Sequence, residues 1–137
     1  MKDNGEVGLT KESGWQMGVR KTIYADFDSV WEFLFSDKGL QLWLGPVKAV
    51  DLEVGASYNL ASGVMFKITV FKPLSHIRMQ WKKEEWENTS RLQLRIMRSG
   101  KNTVVSFAQE LLVNKVQREE MIWHWKKVTA ALSVTIA

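Results

Sequence analysis

The feature that most limits the fold of this chain is a change in hydrophobic period near Lys115. Before this residue, short segments alternate between apolar and polar side chains, most clearly in 91–98, where Leu92, Leu94 and Ile96 alternate with polar residues. Such alternation is typical of strands that bury one face, whereas a 3.6-residue period is typical of an amphipathic helix. After Lys115 the apolar positions have helical spacing: Met121, Trp125, Val128, Thr129 and Leu132. The sequence therefore predicts antiparallel strands followed by one long C-terminal helix.

Two short helices are predicted between the first strand and the others. The first strand is expected to end near Ala25, and Asp26 or Asp28 can cap a helix over 29–35. A second short helix follows and ends at Gly45–Pro46. A curved antiparallel sheet must cover its concave face, and the C-terminal helix is the only element large enough to do so. The predicted fold class is therefore α+β, with the sheet wrapped around the C-terminal helix.

The length of the chain indicates one domain. The 137 residues are an ordinary length for a single domain. Residues 1–13 are polar and without period, so we expect a flexible N-terminal tail followed by a domain over 14–137. The N terminus has no apolar segment of the secretory type, and no apolar run reaches the roughly eighteen residues of a membrane span. Since the chain also has no cysteine, we expect a cytoplasmic protein.

Several classes of function find no support in the sequence. His76 and His124 are too far apart to give a metal-binding spacing, and His124 is expected to point away from the helix face that carries Trp125. There is no nucleophile elbow, phosphate loop or pair of catalytic carboxylates. The net charge is only +4 and the basic residues are scattered, so nucleic-acid binding is not expected. We therefore predict no metal, no cofactor and no catalytic residue.

The tryptophan content is the unusual part of the composition. Seven of the 15 aromatic residues are Trp, a side chain that needs apolar surroundings and a partner for its N–H. This content indicates either a wide core or an aromatic-lined cavity. We interpret Trp31 and Trp125 as core residues and leave both alternatives open for Trp43 and Trp81. Trp86, in a polar segment, is expected either to cover the cavity mouth or, more simply, to pack on the sheet edge.

Five segments together resemble a known family. They are KTIYADFDSVW (21–31), SDKGLQLWLGP (36–46), DLEVGASYNL (51–60), HIRMQW (76–81) and MIWHWKKVTAAL (121–132). In this order they resemble the single-domain homologues of the C-terminal domain of the heat-shock-protein-90 ATPase activator. That family belongs to the START-like, or SRPBCC, superfamily, so the resemblance implies the helix-grip fold of the birch-allergen-like proteins. It covers about residues 15–134.

The fold and the hydrophobic pattern together predict a cavity between the sheet and the C-terminal helix. The leading hypothesis is that this cavity binds a small apolar or aromatic ligand, lipids included, without catalysis. Binding would be driven by the desolvation of apolar surface, at about 25 cal/mol per Å². The predicted lining consists of Trp43, Phe66, Ile68, Met79, Trp81, Leu94, Phe107, Met121 and Trp125.

Two other functions remain open at this point. The resemblance implies a chaperone-linked partner protein of the ATPase-activator type. The superfamily also contains cyclases, aromatases and hydrolases, which place polar groups inside the cavity. The inward-facing polar candidates here are Tyr58, Gln109 and Glu110, and for each of them an edge hydrogen bond is the simpler explanation.

Two surface features bear on protein partners. A predicted outward stripe of Arg91, Arg95 and Arg98 would suit an acidic partner, although a sheet face in water explains it more simply. Methionine and tryptophan side chains near the cavity mouth would also support a homodimer.

Overall fold

A seven-stranded antiparallel sheet and three helices make up the fold of the computed structural model, which describes residues 9–10, 14–47 and 50–136. The strands are β1 (Leu9–Thr10), β2 (Gly14–Ile23), β3 (Ser57–Asn59), β4 (Val64–Lys72), β5 (His76–Lys83), β6 (Ser90–Ser99) and β7 (Asn102–Leu112). The helices are α1 (Phe27–Leu34), α2 (Asp37–Trp43) and α3 (Lys115–Ile136). The strand order in the sheet is β1-β2-β7-β6-β5-β4-β3. This arrangement confirms the predicted α+β helix-grip fold.

The two short helices begin at side chains that cap them. The Asp26 carboxylate accepts hydrogen bonds from the backbone N–H of Ser29 at 3.1 Å and from its hydroxyl at 2.7 Å, and these bonds lower the pKa of Asp26. The hydroxyl of Ser36 accepts from the backbone N–H of Gly39 at 3.2 Å. Asp26, one of the two predicted caps, is therefore the cap of α1, which begins two residues earlier than predicted, and Ser36 caps α2.

The inner face of the sheet packs against α3, which lies mainly over β2 and β7. The side chains of α3 that face the sheet are those of the predicted stripe together with Gln117. The register shifts between Trp15 and Met17 in β2, and between Ile68 and Val70 in β4. Bulges of this kind bend a strand and increase its twist. They therefore help the sheet to curve around the helix.

The predicted tail lies mostly outside the described residues. Within 1–13, the structure describes only Leu9–Thr10, which pair antiparallel with Trp15 and Gly14. Along the described part of the chain, no helix combines the length and apolarity that a membrane crossing requires.

Candidate functional site

Aromatic rings from four elements fill the space between the sheet and α3. Trp125 of α3 lies nearly parallel to Phe107 of β7, with ring centroids 4.3 Å apart and an angle of 10°. The ring of Trp43 in α2 also packs against Phe107, with 6.1 Å between the ring centroids, and the centroid of Trp81 in β5 is 6.2 Å from that of Trp125. Aromatic pairs of this geometry contribute about 0.5–1.5 kcal/mol each beyond the burial of their area. The interior is thus a packed aromatic cluster.

A chain of buried hydrogen bonds holds Trp125 in place. Its Nε1 donates to Oε1 of Gln109 at 2.8 Å, and Nε2 of Gln109 donates to Oγ of Ser90 at 2.9 Å. The Ser90 hydroxyl in turn donates to the carbonyl oxygen of Trp81 at 2.5 Å. The side chain of Gln109 therefore faces inward, as the sequence allowed, and both ends of its amide are bonded within the core.

Trp81 differs from the other two interior tryptophans in its indole N–H. Nε1 of Trp43 donates to the carbonyl oxygen of Leu34 at 2.8 Å, and Nε1 of Trp125 is bonded to Gln109. Among the described residues, Nε1 of Trp81 is the one buried side-chain nitrogen or oxygen without a hydrogen-bond partner. An unpaired buried donor costs about 1–3 kcal/mol. A hydrogen-bond acceptor supplied from outside the chain would remove that cost.

Trp81 is also in contact with the loop between β5 and β6, which is hydrogen-bonded to α3. Trp86, in the β5–β6 loop, meets Trp81 edge-on at 5.5 Å and is 7% exposed. The same loop is attached to α3 by two reciprocal hydrogen bonds between the amides of Asn88 and Gln117, at 3.0 and 2.9 Å. These bonds keep Trp86 packed against Trp81.

His124 also lies beside Trp81, which differs from the sequence prediction. Its ring is 4.5 Å from that of Trp125 and 6.2 Å from that of Trp81. The prediction was wrong because the half-buried His124 lies at the border of the buried stripe of α3, where its ring still reaches the tryptophans. Burial lowers the pKa of His124 to about 4, and the cations Lys83 and Lys127 act in the same direction. The imidazole is therefore neutral at neutral pH.

An open cleft of about 510 Å³ lies between the end of α2 and β3. A row of aromatic side chains connects this cleft to Trp81. Tyr58 borders the cleft and stacks on Phe66 at 5.3 Å, and Phe66 is the cross-strand neighbour of Trp81. The Tyr58 hydroxyl accepts a hydrogen bond from the backbone N–H of Asp51 at 2.6 Å. The cleft is lined by Gln41, Pro46, Val47 and residues 58–61.

The structure places all nine predicted lining residues in one buried cluster, in which none is more than 3% exposed. Their contact with a ligand stays a prediction. The cleft itself has a lining that the sequence analysis did not predict, apart from Tyr58, which it named as an inward polar candidate. The missed residues lie near the Gly45–Pro46 helix end, and only the folded chain brings that end close to β3.

Other predicted polar groups lie away from this interior. Glu110 is on the outer face of the sheet, where its carboxylate pairs with Arg91 at 2.5 Å. Arg98 does not share a face with Arg91 and Arg95. Arg91 and Arg95 are four positions apart and point to the same side of β6, whereas Arg98 is three positions from Arg95 and points to the other side. Its guanidinium instead lies over the ring of Phe27, 4.2 Å from the centroid. In the described ranges, no group of three His, Cys, Asp or Glu side chains could hold a metal ion.

Comparison with protein families gives one match, which covers residues 24–137. The matching family is described as "Activator of Hsp90 ATPase homolog 1-like protein". The chain belongs to this family. The resemblance to the activator homologues found in the sequence is thereby confirmed. A comparison with curated protein sequences found no match.

Solved structures similar to this family member share its fold at low sequence identity. CalU16 from Micromonospora echinospora has a TM-score of 0.77 and 19% identity, over 88% of this chain and 73% of that one. The Aha1 dimer from Colwellia psychrerythraea has a TM-score of 0.73 and 17% identity, over 88% and 95%. DynU16, a putative protein in the dynemicin biosynthetic locus, has a TM-score of 0.73 and 15% identity over 86% of this chain. The match spans 45% of DynU16, so the chain corresponds to less than half of that protein.

Proposed function

We propose that this protein binds a small apolar or aromatic ligand that carries a hydrogen-bond acceptor, in the aromatic interior between the sheet and α3. The observation that carries the proposal is the buried, unpartnered Nε1 of Trp81. Rotation of Trp81 breaks no side-chain hydrogen bond, whereas rotation of Trp43 or Trp125 breaks one. Trp81 is therefore the interior tryptophan that can most easily give way to a ligand.

The cleft beside β3 gives such a ligand a route inward. Its wall includes Tyr58, the outermost member of the row that continues through Phe66 to Trp81. A ligand with about 200 Å² of apolar surface gains about 5 kcal/mol from desolvation along this row. An acceptor that reaches Nε1 of Trp81 also removes the cost of the unpaired donor. The expected ligand class is therefore ring compounds or short lipids with a carbonyl or hydroxyl group.

The test is a comparison of Trp81→Phe with Trp123→Phe. The first substitution removes the unpartnered N–H and keeps an aromatic ring, and the second changes a tryptophan on α3 that is 66% exposed. Native mass spectrometry of the purified protein, and tryptophan fluorescence during titration with a lipid and aromatic library, identify the ligand class. For ligands with an acceptor, we expect Trp81→Phe to weaken binding about tenfold and Trp123→Phe to leave it unchanged. If the purified protein has the mass of the chain alone and no compound quenches its tryptophan fluorescence saturably, the interior is only a hydrophobic core.

The second candidate function is that of a chaperone-linked partner protein, and the family membership favours it. The matched family is described by its relation to an activator of an Hsp90 ATPase. The measurement is the ATPase rate of the cognate chaperone with and without this protein. Stimulation supports this role. The absence of both binding and stimulation would contradict it.

An enzymatic role of the cyclase or aromatase kind has less support from the interior. The buried polar side chains within the described residues do not titrate near neutral pH, and they are those of Ser90, Thr103, Gln109, Gln117 and Thr129. The half-buried His124 contacts the aromatic cluster, and its lowered pKa makes it a weak base. These groups favour binding over acid–base catalysis.

A further inference from the structure

The outer face of the sheet gathers cationic side chains that are scattered in the sequence. The register places Arg20, Arg95 and Lys72 in one row across the sheet, with Ser106 and His76 between them. Arg78 and Arg91 lie on the same face. Arg78 is two positions from His76 in β5, Arg91 is four positions from Arg95 in β6, and side chains an even number of positions apart in a strand point to the same side. We call this set of five cations, Arg20, Lys72, Arg78, Arg91 and Arg95, the basic face. The sequence analysis named Arg91 and Arg95 as outward residues but not the other three members, because each strand contributes only one or two of the five.

The basic face is long enough for an extended segment of polypeptide. The row from β2 to β4 crosses four interstrand spacings of about 4.8 Å, and it is therefore about 19 Å long. Beside it lies a concavity of about 250 Å³ whose lining includes Arg78, Arg91 and Gln93. Its floor is at Ala108, which pairs with Gly18 across β2 and β7, so little side-chain volume fills the space.

Two of the guanidinium groups are held in fixed orientations. Nε and Nη2 of Arg78 both donate to Oε1 of Gln93, at 3.2 and 2.8 Å. Arg91 is held by Glu110 at the edge of the concavity. Planar guanidinium groups that are oriented in this way match the geometry of carboxylates. The pKa of His76, which lies in the row, is lowered first by burial and then by the charges of Arg95, Arg78 and Lys72.

We propose that the basic face binds an acidic segment of a partner protein in an extended conformation. Charge complementarity is the main argument, since the row and the lining of the concavity together contain five cations and one carboxylate, that of Glu110. A single-stranded nucleic acid is less well matched, because the row and the concavity present no Phe, Tyr or Trp ring on which bases could stack. A membrane surface is less well matched as well, because the same positions offer no large apolar side chain for insertion.

The test measures the binding of a fluorescein-labelled, Glu-rich peptide of about ten residues, which can span the row when extended. Fluorescence anisotropy is recorded at several salt concentrations for the wild type and for three double variants. Arg78→Gln/Arg95→Gln changes the centre of the basic face, and Arg20→Gln/Lys72→Gln changes the exposed ends of the row. The matched control, Lys38→Gln/Lys126→Gln, removes the same charge from exposed positions of α2 and α3. Thermal unfolding verifies that each variant is folded.

We expect each basic-face variant to bind the peptide about five- to tenfold more weakly and to show a shallower salt dependence. The control should bind like the wild type. Equal affinity in all four proteins, or equal weakening in the control, would overturn the proposal. Tighter binding of an oligouridylate of equal charge, or of phosphatidylserine vesicles, would assign the face to nucleic acid or membrane instead. Because the peptide test does not involve the aromatic interior, its result is independent of ligand binding there.

Discussion

At the scale of single residues, the three interior tryptophans differ in the hydrogen bonding of their indole N–H, a difference that the amino-acid composition does not show. Trp43 and Trp125 are fixed by the Leu34 carbonyl and by Gln109, whereas the indole N–H of Trp81 has no partner. Sequence alone does not distinguish these cases, because the acceptors lie on other elements. Natural cores pair nearly all of their buried polar groups, so an exception calls for an explanation. Ligand binding is the explanation that we propose for Trp81.

His124 gives a prediction about stability and pH at the same scale. Its pKa in the folded chain is about 4, below the ordinary value of 6.5, so between these values the unfolded chain binds more protons than the folded one. The free energy of unfolding should therefore fall as the pH is lowered from about 6.5 towards 4. We expect His124→Gln to flatten this dependence in urea unfolding experiments.

The matched control for this experiment is His76→Gln. His76 lies on the outer face, and its pKa is also lowered. The control variant should keep most of the dependence, because His124 is still present. A wild type and a His124→Gln variant with identical pH profiles would show that His124 does not carry the effect.

At the scale of elements, the joint between α1 and α2 depends on one glycine. A Cβ atom at Gly39 would lie 1.8 Å from the carbonyl oxygen of Phe33. Alanine is a better helix former than glycine by about 1 kcal/mol, yet here the clash outweighs this preference. We expect Gly39→Ala to lower the free energy of unfolding by at least about 2 kcal/mol, measured by urea denaturation.

Gly18→Ala is the control for this substitution. The nearest atom that an added Cβ would meet at Gly18 is the Phe107 carbonyl oxygen, 4.0 Å away. That variant should be within about 1 kcal/mol of the wild type. Similar losses of stability in both variants would mean that the tight joint is not the cause.

Sequence periodicity predicted the elements better than it predicted what they bring together. The change of period at Lys115 coincides with the first residue of α3, and the alternation in 91–98 lies within β6. The register between strands was not predictable, since it depends on pairings such as that of Arg20 with Ser106. The nine aromatic and aliphatic residues named for the site are all buried, because hydrophobic alternation reports burial. Alternation does not report which buried groups lack a partner, and so Trp81 could not be singled out.

At the scale of the whole molecule, the fold depends on contacts between the two ends of the sequence. β2 pairs with β7, and α3 packs mainly over β2. The long helix covers the inner face of the sheet, including Phe107 and Met17, which are 0% and 5% exposed. The sheet cannot bury its aromatic side chains without this helix, so the domain should fold as a single cooperative unit.

Two truncations test this dependence. A chain that ends at Asn114 lacks α3, and it should bind the dye ANS and lose its near-ultraviolet circular dichroism, because the inner face is exposed. A chain without residues 1–13 loses only the two-residue β1 from the described structure. It should keep the native spectrum and a single unfolding transition. Loss of the native spectrum in the second variant would show that residues 1–13 belong to the folded domain.

The two ends of the strand order have a consequence for solubility. The outermost strands, β1 and β3, are only two and three residues long. Long, flat edge strands act as templates on which other chains add strands and aggregate. Here the remaining edge of β2 carries the exposed charges of Arg20 and Lys21, which oppose such addition. A sheet rich in aromatic and β-branched side chains is normally prone to intermolecular strand addition, and on β2 it is these charges that oppose amyloid-like growth.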